Sequence, residues 1–228
     1  TLELFHAFLW LNGGDFFDED LNVTFDGPEG KKALEQMIGM LEDGSALLID
    51  GYEDGAFGDR MIAMYIGSSA GITYAENSVG GKFEFSTTPL PAGIRPGAPF
   101  MGTNIALFDS ASEEEKLAAA KFVKWLTNAE NTVYFATKTG YLPVTYSGLE
   151  HPEFKAWLEA NPHKAAIANL EAFEYGYWQP KIAAWEECRG IIYEMVTKVF
   201  LGEDIDMALA EGRMLVEEAI DAMLSERF

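Results

Sequence analysis

Cysteine is all but missing. Cys188 stands alone in 228 residues, so no disulfide can form within the chain and no cysteine-based zinc site can be assembled. Histidine is nearly as scarce, and His6, His151 and His163 lack the spacing of a metal-binding His-Glu-x-x-His pair. Cations are few: 16 Lys and Arg face 37 Asp and Glu, a formal net charge of -21. A surface of that sign repels phosphate backbones and anionic lipid, which argues against nucleic-acid and membrane-surface partners. No apolar run is long enough to span a bilayer. The opening Thr1-Leu2-Glu3-Leu4-Phe5-His6 lacks the regions of a signal peptide, and reads as a processed or cut end. A Gly-x-Ser-x-Gly elbow and a phosphate-cradling glycine loop are absent too.

What remains is the composition of a folding chain, 48% hydrophobic and 23% charged, long enough for one large domain or two small ones. Aromatics crowd the first 17 residues, where Asn12-Gly13-Gly14-Asp15 punctuates the run as a turn. Asn22 to Phe25 alternates like a short strand. Asp26-Gly27-Pro28-Glu29 then starts a helix with an aspartate N-cap, whose stripe Ala33, Leu34, Met37, Ile38 and Leu41 ends at Gly44. A turn and the apolar run Met61 to Ile66 predict a buried strand, preceded by a short helix.

That run ends at Gly67-Ser68-Ser69-Ala70-Gly71. Small and hydroxylated residues beyond a strand leave room for a ligand, although taken alone the segment is better explained by a serine-capped helix start. Lys82 to Thr88 reads as extended and leads into Pro89 and Pro91. Gly102-Thr103-Asn104-Ile105-Ala106-Leu107-Phe108 reads as a strand crossing a hinge, followed by a helix capped by Ser112 or Ser110 with Glu115 in capping-box spacing. A second short helix ends at Gly140, and Thr139-Gly140-Tyr141-Leu142-Pro143-Val144 carries the chain back. Residues 150 to 175 read as helix broken at Asn161-Pro162. An aromatic stretch follows with Phe173, Tyr175, Tyr177, Trp178 and Trp185, and two closing helices flank Gly202-Glu203-Asp204.

In this order the motifs Val23-Thr24-Phe25-Asp26-Gly27-Pro28-Glu29-Gly30, Gly58-Asp59-Arg60-Met61-Ile62-Ala63-Met64, Gly102 to Phe108, Ala119 to Leu126 and Gly140-Tyr141-Leu142-Pro143 resemble the later part of an extracellular solute-binding protein of family 1 type. That family comprises the carbohydrate and glycerol-phosphate receptors of ABC importers. The resemblance implies an α/β, two-lobed periplasmic-binding fold of class II type. On it, residues 1–92 belong to the C-terminal lobe, 93–145 are a returning segment of the N-terminal lobe, and 146–228 complete the C-terminal lobe. It begins partway into the second lobe, so most of the first lobe is expected to be missing. Implied partners are a small-molecule sugar, the importer's permease subunits, and the missing lobe segment or a second copy of the chain. The implied location is periplasmic or extracellular, with a lipid anchor as one possibility.

Carried over by position, Ser68 and Ser69 match the strand-end segment that touches ligand, Gly102, Thr103 and Asn104 the hinge-strand segment, and Tyr141 the aromatic of Gly-Tyr-Leu-Pro. Trp185 is similar to a tryptophan that stacks on sugar, with a helix-core tryptophan as the competing reading, and Tyr177 or Trp178 is the next aromatic in line. Lys181 is the nearest match to a phosphate-binding arginine. A neutral sugar is favoured over a glycerol-phosphate-type ligand, because ring faces cover apolar sugar faces while hydroxyls need several donors and acceptors. No catalytic residue, cofactor or metal is called for. A glycosidase would need a distinguishable carboxylate pair, and none stands out. A partner-binding module built on the acidic surface and aromatic cluster remains the rival reading.

Overall fold

The computed structural model describes residues 2–102, 104–164 and 175–225. They cluster into two units, one made of residues 1–48, 90–101 and 174–228 and the other of 49–89 and 102–173. These boundaries differ from the three-part division at 92/93 and 145/146. Residues 90–101 join the first unit because Ile94 N–H donates to the Leu11 carbonyl at 2.7 Å and the Arg95 guanidinium donates to the Trp10 and Gly14 carbonyls.

The first unit opens with α1 (Leu2–Leu11) and α2 (Pro28–Glu42). Pro28 suits the first turn of α2, where its missing N–H is no loss. The N-cap is Gly27, without a side-chain cap bond. Asp26 instead accepts a hydrogen bond from Arg213 at 3.0 Å, a long-range ion pair that competes with the expected capping role. Gly44 takes a left-handed backbone, φ 76°, just past the helix end, as a terminating glycine should. The Asn22–Phe25 strand reduces to one antiparallel bridge between Phe17 and Val23.

Strand β1 (Ala98–Phe100) pairs in parallel with β2 (Gly176–Trp178), Phe100 opposite Trp178. The closing helices of the chain complete the unit, Trp185–Phe200 and Ile205–Ser225. Asp204 accepts from Met207 N–H at the start of the last helix. Phe5, Leu9, Phe16, Phe25, Leu34 and Ile192 are wholly buried in one core drawn from both ends of the chain. Burial of such side chains stabilises by roughly 1.5–3 kcal/mol each.

The second unit holds α3 (Glu53–Gly58), a 3-10 turn Ser69–Gly71 and α4 (Ile72–Val79). The buried strand expected at Met61–Ile66 does not form: Met61 N–H bonds back to the Ala56 carbonyl, and Met64 is 84% exposed. Arg60 turns the chain at φ 61°, and no neighbouring strand among the described residues offers the run a ladder. Lys82 to Thr88 is likewise unpaired as a strand. It is held by Thr87, whose N–H and hydroxyl both donate to the His163 carbonyl at 2.9 and 2.8 Å.

Then come α5 (Glu113–Leu126), α6 (Ala129–Thr139), α7 (Tyr146–Leu149) and α8 (Pro152–Ala160). Ser112 and Glu115 form the full capping box on α5. Val133, Ala136, Leu149 and Phe154 make a second, smaller core. α5 buries none of its residues, and its Leu117, Phe122 and Trp125 lie exposed. The expected hinge strand does not form: Asn104 to Leu107 has no regular secondary structure and makes no backbone hydrogen bond among the described residues. The helical stretch expected over 150 to 175 breaks at Asn161-Pro162 as its sequence indicates, α8 ending at Ala160, and its remainder from 165 on, with Phe173, lies outside the described residues.

Candidate functional site

In the second unit two motifs far apart in sequence meet. The Ser68 side chain accepts from Ala70 N–H at 3.3 Å, the serine cap foreseen as the plainer role, and starts the 3-10 turn that feeds α4. Gly140, left-handed at φ 79°, terminates α6 directly against this turn. A β-carbon there would stand 2.8 Å from the Ser69 carbonyl and 3.1 Å from an Ile72 methyl. The contact brings Ser68 and Ser69 beside Tyr141, whose ring is half exposed and lies 5.8 Å from that of Phe135. Gly102 and Asn104 are both exposed, with nothing within 4 Å of the position a Gly102 β-carbon would take. Thr103 lies outside the described residues.

In the first unit the aromatic stretch divides by strand alternation. Tyr177 points inward, stacked at 4.0 Å on Trp10 and edge-on at 4.6 Å to His6. Burial holds its phenol well above the ordinary value. Neither the Tyr177 hydroxyl nor His6 Nε2 finds a hydrogen-bond partner among the described residues, and His6 Nε2 stops 3.8 Å short of Asp15. Trp178 points outward and is 63% exposed. Its ring lies 5.3 Å from that of Phe100, and the Lys181 ammonium sits 5.5 Å over it.

Trp185 is not presented as a stacking ring. It is 7% exposed, 5.3 Å from Phe16 and edge-on to Phe17, because it opens the helix that carries Cys188 and Ile192 into the core. Its indole N–H donates to Gln179 Oε1 at 3.1 Å, which fixes the loop beside Trp178. One turn on, Arg189 donates to Glu3 at 2.8 Å. Burial raises the Glu3 pKa, but that hydrogen bond outweighs it and holds the carboxyl below its ordinary value. Cys188 is pushed up by burial, so its thiol is inert packing. Among the described residues no group of His, Cys, Asp and Glu could hold a metal ion.

Residues 3–166 match the family described as Bacterial extracellular solute-binding protein. The chain belongs to that family. A maltotriose-binding protein of Pyrococcus abyssi is 32% identical to this solute-binding protein over 124 residues, 50% of this chain and 26% of the relative. UgpB from Mycobacterium tuberculosis, solved in complex with glycerophosphocholine, superposes with a TM-score of 0.79 at 21% identity, over 97% of this chain and 56% of its own. An ABC substrate-binding protein of Listeria monocytogenes in complex with cycloalternan gives 0.83 at 20% identity, over 97% and 57%. The sugar-binding protein MalE of Xanthomonas citri gives 0.79 at 20%, over 100% and 57%. The fold is therefore the two-lobed periplasmic-binding type. This solute-binding protein spans a little over half the length of those solved relatives and about a quarter of the maltotriose-binding one.

Sequence reasoning about this solute-binding protein missed Phe100, Gln179 and the Trp10–Tyr177 stack. Phe100 pairs in parallel register with Trp178, 77 intervening positions away, which no local pattern announces. The in-and-out alternation of Tyr177 and Trp178 was the available signal, since adjacent strand residues face opposite ways.

Proposed function

We propose that this chain is part of the receptor of an ABC importer, binding a sugar or oligosaccharide non-covalently and handing it unaltered to permease subunits. The observation that carries the reading is Trp178, a 63% exposed ring on a strand whose other face is locked into the core by Tyr177. An aromatic ring that stacks on the apolar face of a sugar has to be held in that way. In the second unit, taken by itself, Ser68, Ser69, Tyr141 and the segment Gly102 to Asn104 are candidates for the donors and acceptors that sugar hydroxyls need; in the first, Trp185 acts behind Trp178 through Gln179. The saccharides named with the relatives support the same ligand class. A glycerol-phosphate-type ligand is the second reading, favoured by the neighbour solved with glycerophosphocholine.

In this proposal residues 1–92 and 146–228 serve the C-terminal lobe and 93–145 return to the N-terminal one. The protein works outside the cytoplasmic membrane, in the periplasm or tethered to the cell surface by lipid. The apolar face of α5 and the unpaired Asn104–Leu107 segment are covered by a polypeptide completing the first lobe, or by a second copy of the chain. Tryptophan fluorescence with a panel of maltotriose, maltose and glycerophosphocholine tests the reading, with product analysis alongside. A saturable change without turnover is expected. Released product would make the protein an enzyme, and silence across the panel would sink the receptor reading in favour of a partner-binding module.

A further inference from the structure

The outward face of the two-stranded ladder carries more than a bare indole. The Phe100 ring lies directly on Gly176, where any β-carbon would overlap it, and leans at 30° against Trp178. Beside them the Gln179 amide nitrogen donates, among the described residues, only to the Met101 thioether, at 3.3 Å, a weak acceptor that a hydroxyl can replace. Over the Trp178 ring stands Lys181.

Acids outnumber bases 37 to 16, and Lys31, Lys82, Lys116, Lys155, Lys164 and Lys198 pair with a carboxylate, whereas Lys32, Lys121, Lys124, Lys138 and Lys181 do not among the described residues; of these five, Lys181 is the one beside the exposed Trp178 ring. Lys181 has no ion pair among the described residues and rests on the indole face alone, a contact that holds a cation weakly at an exposed site. A neutral saccharide stacking on Trp178 has to displace that ammonium. A saccharide with an anionic group stacks and pairs with it, through a charge-assisted hydrogen bond about twice as strong as a neutral one.

We propose that the Phe100–Trp178 face with Lys181 is a subsite for an acidic saccharide, a sugar ring bearing phosphate, sulfate or carboxylate. The proposal rests on the saccharide-receptor reading and departs from the neutral sugar that the sequence favours. Trp178 supplies the stacking surface, Lys181 reads the charge, and the Gln179 amide is released from Met101 to a ring hydroxyl.

The test titrates the 228-residue chain at low salt with glucose, maltotriose, glucose 6-phosphate, glucuronate and inorganic phosphate, by fluorescence and calorimetry. The acidic sugars should bind about tenfold tighter than glucose, equivalent to ~1.4 kcal/mol, with the advantage shrinking as salt screens the pair. Lys181→Met should remove the advantage, so that the acidic sugars and glucose bind this variant with equal affinity. Trp178→Ala should weaken both classes without lowering the melting temperature, the ring being exposed. Glucose 6-phosphate against glucuronate separates phosphate from carboxylate as the preferred anion. Equal affinities for acidic and neutral sugars, or an advantage that survives Lys181→Met, would overturn the subsite while leaving the saccharide reading intact. Phosphate alone binding as tightly as glucose 6-phosphate would reduce it to a bare anion site and overturn it as well. No binding of any sugar would overturn both.

Discussion

The Ser69 carbonyl faces Gly140 so closely that a β-carbon at Gly140 would lie 2.8 Å away. Two sequence motifs separated by the whole of α5 and α6 thus touch through a residue without a side chain, on a left-handed backbone that other residues adopt only with strain.

Gly140→Ala combines that clash with a positive φ and should destabilise the second unit by roughly 1–3 kcal/mol, read as a lower denaturation midpoint. Gly39→Ala is the control, because Gly39 lies inside α2 with nothing within 4 Å of a β-carbon. It should stabilise by about 0.5–1 kcal/mol. Equal effects at the two positions would refute the close contact.

Trp185→Ala removes a buried ring from the first core and should cost roughly 3–5 kcal/mol of stability. Thermal melting and calorimetric titration in parallel separate packing from stacking. A strong loss of sugar affinity with an unchanged melting temperature would return Trp185 to direct contact with ligand.

Glu76 gives the second unit a pH dependence. It accepts from His163 at 2.6 Å and from the buried Lys164 at 2.9 Å. Burial raises its pKa, but these two partners outweigh burial and hold it below the ordinary 4.5. A carboxyl depressed on folding adds stability that is present above its unfolded pKa and lost as pH falls through the folded one. Stability should therefore decline with acidification below about pH 4.5. Glu76→Gln should flatten that decline. At neutral pH it should cost roughly 2 kcal/mol, from leaving Lys164 buried without its counter-charge. A variant with the same acid sensitivity as the parent would remove Glu76 from this role.

The exposed face of α5 should show itself in solution. Leu117, Phe122 and Trp125 are exposed, and Asn104–Leu107 makes no backbone hydrogen bond among the described residues; exposed apolar side chains and unpaired backbone of this kind recruit another chain. Light scattering should show association that grows with concentration, and an environment-sensitive dye should bind. Trp125→Lys should suppress both. A strictly monomeric chain that ignores the dye would contradict the assignment.

Helices were the legible part. Ser112 and Glu115 announce their capping box by spacing alone, and Gly44, Gly140 and Asp204 mark helix boundaries because local backbone chemistry decides them. Extended segments were not legible. Met61–Ile66 has the composition of a buried strand, but a strand exists only when another supplies its hydrogen bonds, and that partner is a fact of tertiary structure. The same limit explains why Trp185 and Trp178 could not be told apart beforehand. One begins a helix whose stripe faces the core, while the other sits opposite Phe100 on a ladder assembled from distant residues. In the candidate site, Ser68, Ser69 and Tyr141 were found by motif, whereas Lys181 over Trp178 depended on seeing which ring was left uncovered.

The core of the first unit draws on both ends of the chain, with Phe5 and Ile192 in the same cluster and Glu3 bonded to Arg189. A ribosome releases α1 long before it has made the helices that cover it. The apolar stripe of α1 then waits through most of synthesis, and closing so long a loop is slow. The core of this unit can therefore close only after Trp185 and the helices that follow are made, and a chain stopped before Trp185 would leave its opening helices without the partners that bury them.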